Sequence, residues 1–182
     1  MTTHRDRGGP GPLVLVPPLS LEAERDDVRT LVLGLGNPIL TDDGIGIRVV
    51  REAATRCPNG KASFAEASLG GLRLLDVING YDRVILVDAI QTRGGTPGDI
   101  YYMGPGDLMA SLHSDSSHDL SLPGALKLGR RLGMQVPDDD AFEIIAIEVK
   151  DVLTFGETHT PAVSAAIPHA VDAVLAAVDA SP

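Results

Sequence analysis

Three short, nearly unbroken apolar runs constrain this chain most: Thr30–Leu35 (TLVLGL), Arg83–Asp88 (RVILVD) and Phe142–Val149 (FEIIAIEV). A strand with one wet face alternates apolar and polar residues. A strand covered on both faces reads instead as a continuous Val/Ile/Leu run, and such strands belong to parallel sheets. Short continuous runs ending in Gly or Asp suit buried strands where they meet their loops. Ala62–Ala67 and Asp99–Met103 are two weaker strand candidates.

Helical patterns fill the gaps. Residues 44–57 place Val49, Val50, Ala53, Ala54 and Cys57 on one face and Arg48, Arg51, Glu52 and Arg56 elsewhere. Residues 69–78 repeat the spacing with Leu69, Leu72, Leu75 and Ile78, and residues 121–132 with Leu122, Ala125, Leu126 and Leu132. A last helix opens on Thr160 as N-cap with Pro161 at its first position. It continues through Val163, Ile167, Val171, Val174 and Val178, and Pro168 within it predicts a kink. The alternation of strand and helix defines an α/β domain with helices on both faces of a mostly parallel sheet, a three-layer α/β/α arrangement. Residues 29–180 form one such domain. Residues 1–28, with Gly8, Gly9, Pro10, Gly11, Pro12, Pro17 and Pro18 and no periodicity, are expected to be a disordered N-terminal extension.

Composition removes several functions. The formal net charge of −10 argues against nucleic acid and anionic lipid, which need a basic surface. The single cysteine, Cys57, excludes an internal disulfide, a zinc ribbon and an iron–sulfur site. Its place on the apolar face of the first helix predicts a core residue rather than a nucleophile. No run approaches the roughly 18 apolar residues of a membrane span. Pro17 and Pro18 end the apolar patch Leu13–Val16 too early for a secretory segment, so a cytoplasmic location is expected.

The loop after the first strand, Gly34 to Gly46 (GLGNPILTDDGIG), is the most informative stretch. Open α/β sheets bind ligands where the carboxyl ends of strands meet their loops. A dinucleotide fingerprint fails here because Ile39 stands where the third glycine belongs, and Pro38 prevents the helix from starting at the pyrophosphate. No Gly-Lys-Ser/Thr follows, so a phosphate loop fails as well and no nucleotide cofactor is expected. The opening Gly34-Leu35-Gly36-Asn37-Pro38 resembles that of bacterial peptidyl-tRNA hydrolases, but their Thr-Arg-His-Asn segment is absent and the charge is wrong for tRNA. What remains is a turn followed by two adjacent acids, Asp42 and Asp43. Thr41 or Asp42 capping the helix is the plain structural reading, and acids also favour the positive end of a helix dipole. One acid can cap while its neighbour faces the cleft.

Asp88 follows four apolar residues, which puts a carboxylate at the same sheet edge, where an unpaired one is costly. His118 lies in Ser116-Ser117-His118-Asp119-Leu120, just before a helix. A lone histidine near a cap usually reads as a surface or supporting residue; of the other four, His4 lies in the extension, His113 in a polar loop, His159 by the last helix and His169 within it. Two carboxylates and an imidazole at one sheet edge suit a borderline divalent ion such as zinc or nickel and leave coordination positions open.

Taken together, Leu31–Gly46 (LVLGLGNPILTDDGIG), Val84–Ala89 (VILVDA) with Gly94–Gly98 (GGTPG), Ser117–Leu122 (SHDLSL) and the Thr160-Pro161 helix start resemble the maturation endopeptidases of nickel–iron hydrogenases. The pieces occur in order across most of the chain. The resemblance implies helices flanking a twisted five-stranded sheet, and removal of a C-terminal extension from a hydrogenase large-subunit precursor after nickel insertion. It implies that Asp43, Asp88 and His118 contact the metal and carry catalysis, and it leaves Asn37 and Asp42, in the same loop, as candidate substrate-binding residues. The nickel would arrive within the substrate, held by the precursor's cysteine thiolates, so that the nickel-loaded precursor is the partner and a monomeric enzyme is expected. Either the metal activates a carbonyl or water, or Asp43 or Asp88 acts as general base. Two departures from the family stand out: the N-terminal extension, and Asp rather than Glu at the first ligand position. Two other classes fit the same residues: a general metal-dependent hydrolase with its own zinc, and a non-catalytic nickel-binding assembly chaperone.

Overall fold

The computed structural model describes residues 28–58, 60–68, 72–107 and 122–180. The expected extension therefore falls outside the described residues, apart from Val28. Five strands form one sheet: β1 (Thr30–Leu35), β2 (Ser63–Ala67), β3 (Arg83–Ile90), β4 (Ile100–Met103) and β5 (Phe142–Glu148). Their order is β2-β1-β3-β5-β4. All pairings are parallel except β4, which runs antiparallel to β5 at the sheet edge.

The apolar runs are covered on both sides, as their unbroken character predicts. Leu31, Leu33, Val84, Leu86, Phe142 and Ile144 face one core, shared with Leu74, Leu75 and Ile78 of α2 (Arg73–Ile78) and with Ala125 and Leu126 of α3 (Leu122–Arg131). Val32, Ile85, Val87, Ile145 and Ile147 face the other, filled by α1 (Ile45–Arg56) and α4 (Pro161–Asp179). The result is a three-layer α/β/α sandwich. Its cores are almost wholly aliphatic. Full burial of each Leu, Ile or Val contributes about 1.5–3 kcal/mol, so scarce aromatics are no handicap.

Several expectations need correcting. β3 continues two residues beyond Asp88, because Asp88, Ala89 and Ile90 still pair with Ala146, Ile147 and Glu148 of β5. Asp88 is thus a side chain within a strand rather than its terminus. Neither Thr41 nor Asp42 caps α1: the N-cap is Gly44, with no side-chain hydrogen bond. Cys57 stands past the end of α1 as its C-cap, half-buried, and belongs to neither core. Leu132 likewise lies beyond α3 and is exposed. α4 continues past Pro168, the residue at which a kink is expected. This helix also departs from the reading that no segment approaches membrane-spanning length, since its 19 residues are long and apolar enough by composition. Val163, Ala166, Ala170, Val171, Val174 and Ala177 are instead buried, and the helix packs against α1 and β5.

The topology fixes where chemistry can occur. β1 has β2 on one side and β3 on the other, so the chain's direction of winding reverses between β1 and β3. The crevice outside the carboxyl ends of those two strands is where open α/β sheets bind their ligands.

Candidate active site

The loop from β1 to α1 lies at this crevice, and close backbone approach accounts for its glycines. Gly36 has φ +132°, a left-handed conformation that side chains avoid, and a Cβ there would overlap the Asp43 carbonyl. A Cβ on Gly46 would overlap the carbonyls of Leu35 and Val87, so only glycine lets the first turn of α1 rest against the ends of β1 and β3. The glycines that mimic a nucleotide-binding fingerprint therefore serve to fold the loop back on itself.

This folding places Asp43. Its Oδ2 accepts a hydrogen bond of 2.7 Å from the Asn37 backbone N–H. Asn37 itself is half-buried, and its side-chain oxygen accepts from the Ile39 N–H at 3.3 Å. Asp88, on the adjacent strand β3, also retains partial exposure, and its Oδ1 accepts from the Ala89 N–H at 2.8 Å. Burial pushes the Asp88 carboxyl up to about 7; the Ala89 hydrogen bond opposes the shift, and the nearby Asp43 carboxylate adds to it. The two acids named from the sequence are thus brought together at the switch point. Among the described residues neither forms an ion pair. Two carboxylates in this setting offer hard oxygen donors to a divalent cation. Among the described residues no third His, Cys, Asp or Glu completes a metal-binding cluster with them. His118, the third expected ligand, lies outside the described residues.

Asp42 departs from its expected role. It is fully buried, and both its oxygens are occupied by N–H and O–H donors of the segment between β5 and α4. Its carboxylate therefore cannot reach a substrate, and Asp42 is not a substrate-binding residue. Thr160 is the N-cap of α4 by position, but its hydroxyl donates to Asp42 instead of capping the helix. Sequence reasoning also passed over Glu148. It is buried at the end of β5 and accepts from the Thr92 N–H and hydroxyl, both at 2.8 Å, holding the loop that follows β3. The available signal was the second of two Glu residues in the apolar run FEIIAIEV, standing at its carboxyl end.

The raised Asp88 pKa has a measurable consequence. The unfolded chain releases this proton near pH 4, whereas the folded protein holds it to about 7. A raised folded-state pKa gives stability that is complete below the unfolded value and is lost as pH rises through the folded one. The urea-unfolding midpoint of the metal-free protein is therefore expected to fall between about pH 4 and pH 8. In Asp88→Asn, which cannot ionise, this component of the pH dependence should vanish.

An α/β domain with paired acids at the switch point is a scaffold suited to metal-assisted hydrolysis. Comparison with known proteins narrows this class. The sequence profile of the HycI family, hydrogenase maturation protease, matches residues 47–177. The hydrogenase 2 maturation protease of Escherichia coli (strain K12) is 29% identical over 153 residues, covering 82% of this chain and 90% of that protein. Among solved structures, the hydrogenase maturating endopeptidase HybD from E. coli superposes with a TM-score of 0.69 at 29% identity, over 83% of this chain and 92% of that one. The [NiFe] hydrogenase maturation protease HybD from Thermococcus kodakarensis gives a TM-score of 0.61 at 25% identity, over 84% and 100% of the two chains. The chain belongs to the hydrogenase maturation protease family and is an endopeptidase of hydrogenase maturation. A non-catalytic assembly chaperone is thereby set aside.

Proposed function

We propose that this endopeptidase removes the C-terminal extension of a nickel–iron hydrogenase large-subunit precursor once nickel has been inserted. In this reading Asp43, Asp88 and His118 contact the nickel that the precursor carries. The observation that supports it most is the pairing of Asp43 and Asp88 at the switch point with, among the described residues, no ion pair to balance either of them. A buried carboxylate favours being neutral or meeting a cation, and a metal held in the substrate supplies that cation only when the correct precursor docks. The enzyme's own cysteine content fits this arrangement, since Cys57 is its one thiol and stands apart at the end of α1.

Asp88, with its carboxyl near 7 in the free enzyme, is the group poised to accept a proton from the attacking water at neutral pH. Asp43 holds its place through the Asn37 N–H, and Asn37 is the candidate for a further polar contact with the substrate. The enzyme acts in the cytoplasm, as a monomer whose open cleft receives a bulky folded precursor. Intact-mass measurement of nickel-loaded precursor after incubation tests this function. The expected result is a single loss equal to a C-terminal peptide. Unchanged mass would contradict it. Cleavage of unrelated peptides by enzyme purified with bound zinc would point instead to a general metallohydrolase.

A further inference from the structure

The buried carboxylate next to Asp43 has a task of its own. Asp42 Oδ1 accepts from the Thr160 N–H at 2.7 Å. Asp42 Oδ2 accepts from the Thr160 hydroxyl at 2.9 Å, the Asp151 N–H at 3.2 Å and the Lys150 N–H at 3.4 Å. No cationic side chain pairs with it among the described residues; backbone N–H groups, one of them at the N-terminus of α4, balance its charge. The Asp42 N–H in turn donates to the Asp151 carbonyl at 2.9 Å.

Neighbouring bonds extend the attachment. The Thr41 N–H and hydroxyl both donate to the Thr154 carbonyl, at 3.0 and 2.8 Å. His159 donates from Nδ1 to the Thr41 carbonyl at 2.6 Å. The Gly156 N–H donates to the Ile39 carbonyl at 3.0 Å, beside the bridge between Leu40 and Phe155. The segment carrying Asp43 is therefore joined along residues 39–42 to the chain between β5 and α4. Asp42 is the buried centre of that junction, and Asp43 is the next residue in the chain.

We propose that Asp42 is a positioning residue: fastened to the end of β5 and the start of α4, it sets where the Asp43 carboxylate stands relative to Asp88. The inference rests on the reading of Asp43 and Asp88 as the groups that engage the substrate. Misplacing such a group by about 1 Å costs on the order of a hundredfold in rate. Asp42→Asn keeps the shape but turns an amide N–H₂ toward groups that are themselves donors, so the junction must shift. Thr160→Val removes one donor, and Thr160→Ser retains it.

The test is steady-state cleavage of nickel-loaded precursor, with kcat and KM separated, at a temperature where circular dichroism shows each variant folded. Asp42→Asn should lose roughly 10- to 100-fold in kcat with KM within about twofold. Thr160→Val should lose several-fold in kcat, and Thr160→Ser should recover most of it. A folded Asp42→Asn with full kcat overturns the proposal; so does a loss confined to KM, or one that merely tracks the unfolded fraction. If Asp42→Asn does not fold, the Thr160 pair decides, and equal losses in Val and Ser overturn it. Asp43→Asn measured alongside separates the two levels. Normal cutting by Asp43→Asn removes the reading of the site and this inference with it. Loss in Asp43→Asn with full activity in Asp42→Asn removes this inference alone.

Discussion

Replacing Asp88 by asparagine is expected to reduce processing of the nickel-loaded precursor by at least about a hundredfold while leaving the enzyme folded. Removal of a group that acts in proton transfer typically costs on the order of 10²–10⁴ in rate. The fold should tolerate the change because among the described residues Asp88 forms no ion pair, so no opposite charge there is orphaned. An asparagine oxygen can still accept from the Ala89 N–H that Asp88 now binds. The variant should in fact withstand urea better than the parent above neutral pH, since burial opposes ionisation of Asp88. Lost activity together with retained or increased stability separates a functional residue from a structural one. Asp43→Asn and His118→Ala should abolish processing in the same way. Intact-mass assay with a melting curve for each variant checks the set, and normal cleavage by any one would remove that residue from the site.

The positions of the two acids were legible because the apolar runs marked the strands. TLVLGL and RVILVD read as strands of a parallel sheet covered on both faces, which directed attention to the loop after the first and to the acid closing the second, although β3 in fact continues two residues past Asp88. Other features were not legible, since they depend on contacts distant in sequence. Asp42 and Asp43 are identical side chains one residue apart, and nothing local says which one turns inward. The choice is made by Lys150, Asp151 and Thr160, more than 100 residues away, whose N–H groups need an acceptor. The same applies to Thr160, whose placement at a helix start suggested capping until Asp42 claimed its hydroxyl. β3 outran its expected end because Ala89 and Ile90 find partners on β5, a pairing that no pattern within the run itself encodes. The glycines of the first loop resembled a phosphate-binding motif because close backbone approach is common to both uses. Here the approaching backbone is the protein's own.

Dependence on nickel should be the larger effect. A protease that recognised only sequence would cut the precursor whether or not its metal had been inserted. Here the paired acids at the switch point have no cation of the enzyme's own among the described residues, and the desolvated Asp88 carboxyl holds its proton to about 7. A nickel ion presented by the substrate would favour the ionised form of Asp88 and draw Asp43 and Asp88 onto the precursor. An empty metal site would instead oppose the two acids to whatever thiolates the precursor carries, which is repulsive. On the proposed function the same contact would reward the loaded precursor and penalise the empty one, as discrimination between similar partners requires. The direct measurement is parallel incubation of nickel-loaded and nickel-free precursor with the enzyme, read by intact mass over time. Loss of the C-terminal peptide from the loaded form alone is the predicted result, and processing of the nickel-free form at an equal rate would contradict it.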